Sequence, residues 1–154
     1  MDKAQFLKND LVTLISGIPA DHQPAWGKMN LQQMTEHIAR EGFGWASGKI
    51  VHTRVLTPDE HLPQVRAFLV SEKQFRENTE NKLMPAEPIP VQHADMPAAL
   101  EALQQEIDHF FAVYAADPGK TLLNPFFGEL DYDLWIQLLH KHASHHLKQF
   151  GVTA

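Results

Sequence analysis

The chain contains no cysteine, and that absence removes a large block of chemistry. Without thiols there is no disulfide framework, zinc ribbon, iron–sulfur cluster, cysteine nucleophile or redox dithiol, so any metal must be held by nitrogen and oxygen. Runs of lysine and arginine are missing too: 13 basic residues face 19 acidic ones, for a formal charge of -6. Phosphate neutralisation needs a clustered positive face, so no nucleic-acid partner is expected. No apolar run approaches the roughly 18 residues that a membrane helix requires, so no membrane span is expected either. The segment MDKAQFLKNDLVTL breaks its apolar positions with charges, unlike the continuous core of a secretory signal, and a cytoplasmic location is expected. The length of 154 residues fits one domain, 1–154, able to bury about two-thirds of its unfolded surface. What is abundant is histidine: there are ten, four of them in the stretch HKHASHH.

Four segments carry helical periodicity. Phe6, Leu7, Leu11, Leu14, Ile15 and Ile18 recur at three- and four-residue steps, predicting a helix over 2–16 that Gly17 and Pro19 stop. A second helix opens with Asn30 as N-cap and Gln33 three residues later, a capping box, with Met29 placed to staple onto Met34. Its stripe runs Leu31, Met34, Ile38, Gly42, Trp45, and Gly48 ends it. The region 49–95 is weaker, with a short helix over 62–74 and an extended loop over 82–97, where LMPAEPIPVQHADMP holds four prolines. A third long helix starts at Asp95 and tolerates Pro97 in its first turn; Leu100, Leu103, Ile107, Phe110, Phe111 and Tyr114 line it up to about residue 116. The segment NPFFGEL reads as a loop, Asp131 as the next N-cap, and the last helix runs over 132–149 with Gly151 just beyond. No β-alternation of useful length appears. The fold class is therefore all-α, a four-helix bundle with long crossover loops.

The helical wheel sorts the histidines of the last helix. His142 and His146 lie only about 40° apart and rise from one face a turn apart, the spacing at which two imidazoles can share a metal. His145 lies about 60° to the other side of His142, and His140 points nearly opposite. Trp135, Leu138 and Leu139 lead along the helix into His142 and His146, which therefore continue the face turned into the bundle. A third ligand from a facing helix is offered by His37, at the edge of the second helix's stripe. Three histidines leave coordination positions open, as in catalytic rather than structural sites. The competing readings are a solvated or core pair on the last helix and an ordinary core histidine at position 37.

Together, PFFGELDYDLWIQLLHKHASHHLKQFG and WGKMNLQQMTEH resemble the DinB-like, YfiT-related superfamily, in one of its branches of uncharacterised domains. There a Trp-Gly-Lys-Met segment precedes a helix with one histidine, and a Phe-Gly segment precedes a helix ending in His-His-Leu-x-Gln-Phe-Gly. The resemblance runs in order along the chain, with little from 49–95. It implies a four-helix bundle holding a divalent metal, most often nickel or zinc, on three histidines that fall on His37, His142 and His146. Asn124 stands where relatives often carry a histidine, and His140 is outside the pattern. Better understood members resemble thiol-dependent transferases and isomerases, and others metal-dependent hydrolases. The resemblance therefore implies a metal-dependent hydrolase or a transferase using a low-molecular-weight thiol as cosubstrate, acting on a small electrophilic molecule. The absence of cysteine is compatible, because the thiol would arrive with the substrate.

Around this trio, Glu41 lies one turn beyond His37 and could orient a ligand, although a solvated helix carboxylate is the simpler expectation for it and for Glu36. Gln149 follows His146 by three residues and could orient its ring; His145, Asn124 and Trp26 are expected near the pocket. The alternative function is a non-catalytic bundle that binds a metal or ligand, or dimerises through an apolar helix face. Gly119-Lys120-Thr121 lacks the glycine and strand of a phosphate loop, no His-Glu-x-x-His occurs, and Ser144 sits on a helix rather than a nucleophile elbow. His22, His52, His61, His93 and His109 are expected in loops or at the surface.

Overall fold

A computed structural model describes residues 2–77 and 86–153. The first helix, α1 (3–16), runs through Lys3–Gln5, a π-helical turn Phe6–Asp10 and Leu11–Ser16. Asp2 caps it by accepting from the Gln5 N–H. The second, α2 (31–47), joins Leu31–His37, a π-helical stretch Ile38–Phe43 and Gly44–Ser47. Asn30 and Gln33 close both halves of the expected capping box. Gly48 ends the helix with φ 85°, a left-handed position that any side chain would strain. The short helix α3 is Leu62–Val70, ending four residues earlier than the periodicity suggested. Then come α4, Met96–Ala116, capped by Asp95, and α5, Tyr132–Gln149, capped by Asp131.

The loop reading of NPFFGEL needs correction. Leu122–Asn124 (β1) and Gly128–Leu130 (β2) pair antiparallel, with Asn124 opposite Gly128. The turn is built locally: Asn124 Oδ1 accepts from the backbone N–H groups of Phe126 and Phe127, and Gly128 takes φ 83°. Of the expected loop at 82–97, residues 82–85 lie outside the described residues, and 86–95 contain no helix or strand.

Among the four long helices, α2 meets α4 and α5, α1 also meets α4 and α5, and Phe110 and Tyr114 of α4 touch Tyr132 of α5, while α3 packs on α5. The enclosed core includes Leu7, Leu11, Met34, Phe43, Phe110 and Trp135, all no more than 1% exposed. The Tyr114 hydroxyl, donating to the Ala46 carbonyl at 2.9 Å, ties α4 to the end of α2. Burial, with the Asp131 charge, pushes that phenol up to about 12.

The connecting segments matter because they wall the site. Lys141 on α5 donates to the backbone carbonyls of Ser71 and Lys73 and lies 4.6 Å above the Phe68 ring, drawing the chain after α3 against α5. Glu36, expected in water, is buried and accepts from the Gln92 and His93 N–H groups and the Gln32 amide. Burial alone would raise its carboxyl; the hydrogen bonds outweigh it and hold the group below its ordinary value. Arg66 donates to the carbonyls of Phe127 and Glu129, fixing the hairpin on α3.

Candidate metal centre

The three proposed ligands come together. His37 is placed by α2 at the start of its π-helical stretch, and His142 and His146 by successive turns of α5. The π-helical stretch is itself in contact with α5. His37 Nε2 lies 3.0 Å from His142 Nε2, which lies 3.0 Å from His146 Nε2. One nitrogen from each ring falls within 4.8 Å of the other two. A single ion with bonds of about 2.1 Å to two nitrogens at a tetrahedral angle spreads them about 3.4 Å apart, inside that range.

Proton counting supports the same use. Glu41 Oε1, which as a carboxylate can only accept, sits 3.1 Å from His37 Nδ1, so that nitrogen holds the ring's proton and leaves Nε2 bare. Gln149 Oε1 lies 2.7 Å from His146 Nδ1, while its Nε2 faces the Trp26 carbonyl at 3.4 Å. This fixes the amide so that His146 donates from Nδ1 and also bares its Nε2. His142 Nε2 lies between these two lone pairs and can give its one proton to only one of them. A cation satisfies all three, and the Glu41 and Gln149 contacts are the kind of support that orients metal-binding imidazoles.

Burial pushes His142 well below the ordinary histidine range, helped by the neighbouring His146 and His37. It lowers His146 to about 3, with His37 also contributing. Burial and crowding thus keep both rings neutral, the form that binds metal. Gly42 makes the approach close: a Cβ there would stand 3.4 Å from His142 Nδ1.

The solvated reading of Glu41 is overturned. Its side chain is 8% exposed, and its second oxygen accepts from Arg40 Nε at 2.6 Å. His145 and Trp26 line the same cleft, with ring centres 5.7 Å apart. Asn124 also lines it, its side-chain oxygen committed to the hairpin turn. His140 points away from the trio, as the wheel indicates, but is buried edge-on to Phe6. His52 lies in a loop, as expected, and is half-buried against Trp45.

The sequence reading missed Arg40, whose pairing with Glu41 becomes visible only in three dimensions, and the loop residues Pro88 and Ile89 that join the cleft wall. The cleft holds about 850 Å³, a size suited to a small molecule. Among the described residues, no helix is long and apolar enough to cross a membrane.

Neither the curated proteins nor the solved structures provide a match. The sequence model of the DinB superfamily matches residues 7–150, nearly the whole chain and both helices that carry the three histidines, and the chain therefore belongs to the DinB superfamily.

Proposed function

We propose that this chain is a single-domain, four-helix-bundle enzyme of the DinB type, with a divalent ion, nickel or zinc, held by His37, His142 and His146. The reading is carried by one observation: two rings have their Nδ1 atoms engaged by Glu41 and Gln149, and all three turn Nε2 toward a common point beneath an aromatic cleft. Such an ion supplies Lewis acidity and acidifies whatever binds to it. The chain's own part is positional. Glu41 and Gln149 hold two ligand rings, Gly42 admits the third, and Trp26, Trp45 and Phe126 give the cleft apolar walls that limit water around a small electrophile. The reaction is a hydrolysis or a transfer to a low-molecular-weight thiol, and a panel of thiols and electrophiles presented to metal-loaded protein separates the two.

The metal is tested first. Protein purified without a histidine tag should carry close to one equivalent of divalent metal, and His142→Ala should lose it. Substoichiometric metal in both would defeat the reading and favour a non-catalytic ligand-binding bundle. His145→Ala should keep its metal and His146→Ala lose it; the reverse would show the ligands to be misassigned.

A further inference from the structure

The cleft has unused hydrogen-bond donors, while the acceptors on its wall are engaged within the protein. Glu41 receives Arg40 and His37, Glu87 is paired with Lys28 at 2.7 Å, and Gln149 Oε1 faces His146. Gln33 Oε1 accepts from the Asn30 N–H, and Asn124 Oδ1 takes both N–H groups of its turn. Arg40 binds Glu41 through Nε at 2.6 Å and Nη2 at 3.1 Å. A guanidinium carries five N–H groups, so three are left on a side chain that is 30% exposed. The indole N–H groups of Trp26 and Trp135, both residues of the cleft wall, are enclosed by protein and meet no acceptor among the described residues, so the donors that a ligand can reach are those of Arg40.

We infer that the substrate of this cleft is an organic oxyanion, a carboxylate carried on an apolar or aromatic body, with Arg40 receiving the charged end. The inference rests on the cleft being the reaction site proposed above. A planar guanidinium with free N–H groups matches the two oxygens of a carboxylate, and the surrounding Met29, Trp45, Phe126 and Leu138 match an apolar body. Arg40 also borders a shallow groove between α2 and α4, where Glu36 is hydrogen-bonded and Glu106 is paired with Lys49, but the aromatic walls that match an apolar body line the cleft and not that groove. A carboxylate carried on such a body is therefore assigned to the cleft side.

The test is calorimetric titration of phenylacetate, phenylacetamide and phenethylamine at fixed ionic strength into wild type, with and without bound zinc. Phenylacetate should bind at least about tenfold more tightly than either neutral or cationic analogue, the scale of one charge-assisted contact. The preference should persist without metal and disappear in Arg40→Gln and in the double variant Arg40→Gln/Glu41→Gln. Equal binding of acid and amide by wild type, or no binding of the acid, would overturn the inference. So would a preference that survives in Arg40→Gln, which would assign the anion to the metal, or one restored in the double variant, which would trace its loss to an unpaired Glu41. Metal content is measured separately: if wild type holds no metal, the metal reading falls, while the metal-free comparison still decides the role of Arg40.

Discussion

Two side chains determine which nitrogen is bare on two of the three histidines. Glu41 engages Nδ1 of His37 and Gln149 that of His146, and each thereby directs an Nε2 lone pair to the shared point. Removing such a support leaves the ligand in place but frees its ring and tautomer, which typically weakens a metal site by about 10–100-fold. Glu41→Ala and Gln149→Ala are therefore each expected to lower zinc affinity by about that factor, read by competition with a chromophoric chelator, while both variants remain folded by circular dichroism. Unchanged affinity in both would mean that these contacts do not prepare the site. At this scale the sequence was informative about face and poor about depth. The wheel separated His142 and His146 from His140 because all three share one rigid helix. Whether Glu36 or Glu41 meets water depended on Gln92, His93 and Arg40, whose positions no local pattern encodes.

Among the elements, α2 carries the most consequence for the site, since it supplies His37, Glu41, Gly42 and Arg40. Its start is fixed by reciprocal bonds between Asn30 and Gln33, and Gln33 also donates to the Ile89 carbonyl, pinning the cleft-wall loop. Asn30→Ala is expected to cost about 1 kcal/mol, the usual worth of such a cap, measured as a lower urea midpoint with an unchanged slope. Because His37 lies two turns further on, zinc affinity should hold within about twofold, less than a support variant would lose. A loss as large as that of Glu41→Ala would place the cap in the site's own support. Two helix caps were legible because Asn30 and Asp131 act within three residues of themselves. The π-helical stretch at Ile38–Phe43 was not, since its extra residue per turn departs from the regular period while keeping apolar positions near the core. Nor was the hairpin, whose strands are three residues each, too short for alternation to register.

The molecule as a whole buries histidine in several places, and this makes its stability depend on pH in a defined direction. Burial is the leading cause that lowers His142, His146, His140 and His52 below the ordinary value of 6.5. The unfolded chain takes up protons on these rings near pH 6.5, whereas in the folded chain each takes them up at lower pH, well below for His142 and at about 3 for His146. Between those limits the unfolded state binds more protons, so stability rises with pH. The contribution is complete above about 6.5 and is lost progressively as pH falls toward 3. Metal-free protein should therefore show a urea midpoint that falls steadily from pH 7.5 to pH 5; a flat midpoint would contradict burial of these rings in neutral form. Adding zinc separates the groups. An ion bound to the trio competes with protons there and stabilises only the folded state, so the zinc-dependent gain should be large at pH 7.5 and shrink as the pH falls below the histidine range. His140 and His52 lie outside the proposed site, and their share of the pH dependence should remain when zinc is present. A zinc-dependent gain of equal size at pH 7.5 and pH 4 would be incompatible with a site made of three imidazoles.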